Sequence, residues 1–305
     1  MDKKCAPTKN FKEGSCIDEK TLKSIAINFN NEYNEQINYN QDKKNLVNEL
    51  SNKFNDKFQC KDQLCWLNQK FVKRMNNKDL QKFTFRPKGP KNRFDWLSTT
   101  NINDVIEQYE KKHKDFIFLG AVPYDFQELR ELQMGYELDF KNLINGELNE
   151  DYNKGNKINH FGMVINLDTH DKPGSHWVSL YTNFDKNQVY FFDSFGKKPK
   201  KKIRKFINKI TKFMYKRKYH KNLQVTKLIN DIKNKKNTEL VKEVSEFDIR
   251  HNDIQHQIQN TECGVYSINF IIRLANGESF DSITNNITGD KEMNNCREKY
   301  FNNVL

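Results

Sequence analysis

Apolar and polar positions fall into blocks of different period along the chain. Leu46, Leu50, Phe54 and Phe58 recur every fourth residue, the spacing of one face of an α-helix. Residues 1–85 around them are rich in Asn, Lys and Gln, and predict a small helical accessory region. Arg86–Asn92 (RPKGPKN) carries two Pro and one Gly and predicts a linker. From residue 94 the pattern tightens. Asp95–Thr100 leads into Ile102, Val105, Ile106 and Tyr109, a predicted helix for which Ser98, Thr99 or Thr100 can supply the N-cap. Phe116–Val122 (FIFLGAV) and Phe161–Asn166 (FGMVIN) predict buried strands. His176–Thr182 (HWVSLYT) and Gln188–Ser194 (QVYFFDS) predict two more, joined by the short polar Asn183–Asn187 as in a β-hairpin. Ile203, Phe206, Ile207, Ile210, Phe213 and Met214 then return to helical spacing, and Gly264–Leu274 (GVYSINFIIRL) predicts a long apolar helix opening at Cys263. Strands grouped in the middle with helices on both sides predict an α+β domain over residues 94–305.

Composition narrows the class. Only 36% of the 305 residues are hydrophobic and the mean hydropathy is −0.94. Yet 23 Phe, 12 Tyr and 3 Trp are too many for a disordered chain. No stretch approaches the roughly 20 apolar residues that span a bilayer, and the N-terminal stretch has no apolar core of signal-peptide length. An intracellular protein without membrane partners is expected. The six cysteines (5, 16, 60, 65, 263, 296) are sparse and irregular, so free thiols rather than a disulfide framework are expected. Cys60-x4-Cys65 is not a zinc spacing, and His160, His170, His251 and His256 lack metal-site partners. No metal and no cofactor is expected.

The formal net charge is +12, and Lys197–Lys218 holds 12 Lys/Arg and no acid. That segment reads as an amphipathic helix with an apolar inner face and a basic outer face. The basic face is either a solvated surface or a docking face for nucleic acid or an acidic partner. Its polar side carries no aromatic stacking platforms, which argues against sequence-specific reading.

The candidate chemistry sits at the ends of predicted elements. With the hairpin turn centred near residues 185–186, paired residues sum to about 371, so Val178 faces Asp193 and His176 lies one diagonal step away. Their separation of 17 is odd, which places His176 and Asp193 on one face of an antiparallel pair. A carboxylate there fixes the imidazole tautomer and stabilises imidazolium. Cys263, at the N-terminus of an apolar helix, gains thiolate character from the helix dipole and a nearby imidazolium. Gly264 is expected to let a substrate backbone approach closely. Gln257, six residues before Cys263, offers a side-chain N–H that joins the Cys263 backbone N–H as an oxyanion hole. Nucleophile, base, orienting acid and electrophile make an acyl-transfer set.

Ser175-His176-Trp177, Phe192-Asp193-Ser194 and Gln257-x5-Cys263-Gly264 together resemble the Ulp1/adenain-like cysteine proteases. That group includes SUMO proteases, adenovirus protease and the core-protein proteases of large cytoplasmic DNA viruses. The resemblance covers about residues 94–305. It implies a papain-like α+β domain with a mixed or antiparallel central sheet flanked by helices. It gives His176 as general base, Asp193 as orienting acid, Cys263 as nucleophile and Gln257 as oxyanion-hole donor. In SUMO proteases two Trp sandwich a Gly-Gly stretch of substrate, and Trp96 and Trp177 stand at the matching places. Glu262 precedes Cys263 where cellular members usually have Asp, the Asp193–Gln257 insert is long and basic, and residues 1–85 have no obvious counterpart in cellular SUMO proteases. These features resemble the viral branch and imply a maturation protease cutting structural polyproteins, located in the virion and host cytoplasm. The alternatives are an isopeptidase acting on ubiquitin or SUMO conjugates, and a basic nucleic-acid-binding virion protein.

Overall fold

A computed structural model describes residues 4–132, 138–147 and 156–303. The helical elements begin with α1 (Glu19–Tyr33), α2 (Lys43–Phe58), α3 (Gln63–Leu67), α4 (Lys70–Arg74) and α5 (Lys78–Phe83). The sheet-bearing part follows as α6 (Thr99–Lys112), β1 (Phe116–Val122), α7 (Phe140–Ile144), β2 (His160–Asn166), β3 (Trp177–Asn183) and β4 (Gln188–Phe192). It continues through α8 (Lys201–Tyr219), α9 (Val225–Lys233), α10 (Glu239–Ser245), β5 (Asp248–His251), α11 (Cys263–Ala275), α12 (Phe280–Asn285) and α13 (Asp290–Tyr300). By chain contacts the protein divides into Met1–Gly89 with Glu298–Leu305, and Pro90–Arg297.

The first unit is a helical cluster. The stripe of Leu46, Leu50 and Phe54 on α2 is fully buried and meets Leu22, Ile25 and Phe29 of α1 in one core. Phe54 stacks on Trp66 with ring centroids 4.9 Å apart. Cys5–Cys16 and Cys60–Cys65 are disulfides, each with Cα atoms 5.4 Å apart. The expectation of free thiols is thereby corrected. Spacings of 11 and 5 residues carry no recognisable signature, and only the folded loops bring the sulfurs together. Cys263 and Cys296 are the free cysteines among the described residues.

In the second unit a five-stranded sheet runs in the order β1-β2-β3-β4-β5. β1–β2 and β4–β5 are parallel, while β2–β3 and β3–β4 are antiparallel. The sheet is therefore mixed. Every residue of β2 and β3 is buried, because helices cover both faces. Phe161, Met163, Val178, Leu180 and Phe191 share a core with Ile203, Phe206 and Ile210 of α8. On the other face Gly162 makes room for α11: a Cβ there would lie 2.7 Å from Ile271. The Ser98 side chain and Asn101 form a capping box that opens α6. The strand β5 and helices α9 and α10 lie within the basic insert, for which the sequence reading named no element beyond the Lys197–Lys218 helix, although Val225, Leu228, Ile229 and Ile232 of α9 do recur at helical spacing. Among the described residues no helix is long and apolar enough to cross a membrane.

Closing short loops by disulfides contributes about 2–3 kcal/mol each through the unfolded chain. Replacing Cys5 and Cys16 together by Ser is expected to lower stability by about that amount. A urea unfolding curve in non-reducing buffer reads it. An unchanged midpoint would mean that the bridge constrains nothing.

Candidate active site

The hairpin β3–β4 pairs Ser179 with Phe192 and Tyr181 with Tyr190. This is the register in which Val178 would face Asp193, so His176 and Asp193 leave the ends of adjacent strands side by side. The His176 Nε2 lies 2.7 Å from Asp193 Oδ1. That oxygen also accepts the Phe195 N–H at 2.9 Å, and Asp193 is buried. Phe195 lies against the His176 ring, centroids 4.8 Å apart, which limits the ring's rotation. With Nε2 occupied by the carboxylate, Nδ1 is the ring nitrogen left for another partner, and the neighbouring Cys263 side chain acts with Asp193 to raise the ring's pKa.

Burial disfavours the His176 imidazolium. The hydrogen bonds to Asp193 and Cys263 and their charges outweigh it and hold the pKa up to about 9. The ring is thus a cation at neutral pH, beside a sulfur at the first position of α11. The Glu262 N-cap makes no side-chain capping bond, so the positive end of the α11 dipole is not neutralised by capping at Cys263.

Gln257 is fully buried. Its Oε1 accepts the Ser194 hydroxyl at 2.6 Å, which fixes the amide's orientation. Its Nε2 has no hydrogen-bond partner among the described residues. A buried N–H2 without a partner costs free energy, and an oxyanion would relieve that cost. The backbone N–H groups of His256 and Gln257 both donate to the Ser194 carbonyl at 2.9 Å. Asn252 adds a reciprocal pair, accepting the Asp193 N–H at 2.9 Å and donating to the Asp193 carbonyl at 2.7 Å. Gly196, at φ +69°, lets the 193–196 turn lie on the 253–255 backbone, where a Cβ would come within 2.9 Å of Asp253 O.

The tryptophan segments also converge. The Trp177 indole N–H donates to the Leu97 carbonyl at 3.0 Å, and Trp177 is buried while Trp96 is 49% exposed. Leu97 packs on Gly264, where a Cβ would meet it at 3.0 Å. The absence of a Cβ at Gly264 is thus what lets Leu97 pack there.

Residues that the sequence pattern missed flank Cys263. Glu262 and Arg297, both almost fully buried, form an ion pair of 2.8 Å. Asn294 donates to the other Glu262 oxygen at 3.0 Å. Nothing but the neighbourhood of Glu262 to Cys263 could have pointed to it, since its partners lie 32 and 35 residues downstream.

The Ulp1 protease family, C-terminal catalytic domain, matches residues 139–304. R355 of Acanthamoeba polyphaga mimivirus, which carries a thiol-protease name, is 33% identical over 88% of this chain and 77% of its own. The cysteine protease S273R of African swine fever virus is 24% identical over 71% of each chain. The crystal structure of the African swine fever virus pS273R protease shares the fold, with a TM-score of 0.60 at 19% identity over 84% of this chain and 90% of that one. A family match across more than half of the chain and a relative 33% identical over most of it lead to one conclusion: the chain belongs to the Ulp1 protease family and is a cysteine protease.

Proposed function

We propose that Cys263, His176 and Asp193 are the catalytic triad of a thiol endopeptidase, with Gln257 as its oxyanion-hole donor. The observation that carries this reading is the His176 ring held at 2.7 Å by Asp193, its charge stabilised also by the Cys263 side chain at the head of α11. The Cys263 thiolate attacks the scissile carbonyl carbon, and the carbonyl π electrons move onto oxygen. That oxyanion takes hydrogen bonds from Gln257 Nε2 and the Cys263 backbone N–H. The His176 imidazolium gives its proton to the leaving amine as the C–N bond breaks, leaving a thioester. Neutral His176 then takes a proton from water, whose oxygen attacks the thioester. Collapse releases the acid and restores thiolate and imidazolium. Asp193 keeps the ring oriented throughout.

The substrate is a protein, and the reading extends to cleavage after Gly-Gly-like sites in viral structural polyproteins during virion maturation. Trp96 and Trp177 support it, because flat rings on linked segments leave room for a chain without Cβ atoms. Labelling with a Gly-Gly peptide electrophile, beside ubiquitin and SUMO electrophiles, tests substrate class and nucleophile together. The peptide probe is expected to modify wild type and to leave Cys263→Ala unmodified. Equal labelling of Cys263→Ala would remove Cys263 from the triad. Preferential labelling by a SUMO or ubiquitin probe would shift the substrate to modifier conjugates.

The ion pair predicts a bell-shaped pH profile. His176 has a raised pKa, so its proton is retained through neutral pH and lost as pH rises through about 9. Peptidase activity is expected to fall on its alkaline side near that value. Asp193→Ala, by removing a hydrogen bond that raises the pKa, is expected to move this limb to lower pH and to reduce kcat. A wild-type alkaline limb near the unperturbed histidine value of about 6.5 would contradict the assignment.

A second partner is nucleic acid, bound through Lys197–Lys218. On α8 the cations Lys202, Arg217 and Lys218 face Glu128, Asp185 and Glu246. The exposed Lys201, Lys205, Lys212 and Lys216 pair with no carboxylate among the described residues. Their spacings of four, seven and four put them on one line about 22 Å long. The apolar face of α8 is spent in the core, and this line carries no apolar or aromatic anchor of the kind that protein interfaces use. A row of lysine point charges suits a phosphate backbone read without sequence preference. Duplex DNA binding by fluorescence anisotropy is expected, with a log–log salt slope of about −3 to −4 for four neutralised phosphates. Reversing all four lysines to Glu is expected to abolish binding and to leave peptide cleavage unchanged. Retained affinity in that variant would exclude this face.

A further inference from the structure

Gln257 can serve an oxyanion only if its loop is fixed, yet the residues that follow it are not anchored by burial. Ile258 is 84% exposed, and Gln259 and Asn260 are exposed as well. Hydrophobic packing therefore cannot hold this stretch in place. Hydrogen bonds from α13 do so instead. Asp290 Oδ2 accepts the backbone N–H groups of Ile258 and Gln259 at 3.0 and 2.9 Å. One turn on, Asn294 donates to Glu262 at 3.0 Å. A further turn on, Arg297 Nε donates to Glu262 at 2.8 Å and Nη2 donates to the Thr261 carbonyl at 3.2 Å. Positions 290, 294 and 297 share one helix face, so a single rigid element grips the loop at both ends between Gln257 and Cys263.

The other side of the loop is tied to the same region. The Tyr266 hydroxyl donates to the Thr288 carbonyl at 2.7 Å and lies 3.3 Å from the His256 carbonyl. The His256 ring bridges the Thr284 carbonyl at 3.1 Å and the Thr288 N–H at 3.3 Å.

We propose that Asp290, with Asn294 and Arg297, is a positioning residue for peptide hydrolysis: it pre-organises the 257–262 loop so that Gln257 Nε2 and the Cys263 N–H converge on one oxygen. The inference rests on the reading of Gln257 as oxyanion donor. Asp290 touches no reacting atom: one oxygen holds the two backbone N–H groups, and the other accepts the Tyr266 hydroxyl at 3.4 Å. Because a carboxylate accepts both on a single oxygen, an amide oxygen at the same place can accept them too.

The test separates chemistry that needs an oxyanion hole from chemistry that does not. Peptide hydrolysis passes through an oxyanion, whereas alkylation of Cys263 by iodoacetamide displaces iodide and forms none. Removing one oxyanion donor costs about 10²–10³ in kcat, so Gln257→Ala sets the scale. Asp290→Ala in the full chain is expected to lower kcat at least tenfold with KM and alkylation rate nearly unchanged. Asp290→Asn is expected to recover most of the loss. Unaltered kcat in Asp290→Ala, while Gln257→Ala is slow, would overturn the positioning role alone. A parallel fall in alkylation rate would also overturn it, since the effect would then be on the nucleophile or the fold. Unaltered kcat in Gln257→Ala would instead overturn the oxyanion reading itself.

Discussion

Two stretches of backbone nearly sixty residues apart, 193–196 and 252–257, are joined by a dense set of hydrogen bonds, and the rest of the site depends on that junction. Asn252 bonds both backbone groups of Asp193, and the Ser194 carbonyl takes two N–H groups from His256 and Gln257. The Ser194 hydroxyl orients the Gln257 amide. Asp193 and Gln257 are thereby built on one rigid piece. Gly196 is needed because only a residue without Cβ lets the turn sit this close. A gain in mobility at this junction would displace Asp193 and Gln257 together.

Electrostatics at the site follow from burial. A half-exposed His–Asp pair is worth little, but here the carboxylate is buried and the ring nearly so. The imidazolium survives desolvation because two partners stabilise it, and its pKa rises to about 9. The same logic applies beside it. Glu262 and Arg297 are buried together, an arrangement that is strongly destabilised by removal of one partner. Its place next to Cys263 makes it a fixed reference for the Cys263 backbone, not a source of net stability.

The Ulp1-family chain combines this site with parts the family match does not cover. Residues before 139 supply α6 and β1 of the sheet-bearing unit. They also supply the Trp96-Leu97 segment, which is tied to Trp177 and packed on Gly264. The helical N-terminal unit is held by an aromatic cluster and two disulfides, as befits a small core in a chain of low mean hydropathy.

The sequence by itself determined β1 to its residue limits, the hairpin register that pairs Ser179 with Phe192, and the start of α11 at Cys263. These are local properties, set by period-two or 3.6-residue patterning and by short loops, and they brought His176 and Asp193 together on paper. Tertiary structure alone decided the cysteine pairing, the parallel docking of β5, the Leu97–Gly264 contact and the grip of α13 on the 257–262 loop. Each of these joins residues with no periodic relation along the chain. Their geometry exists only after the sheet and helices have packed, so no reading of spacing could have supplied it.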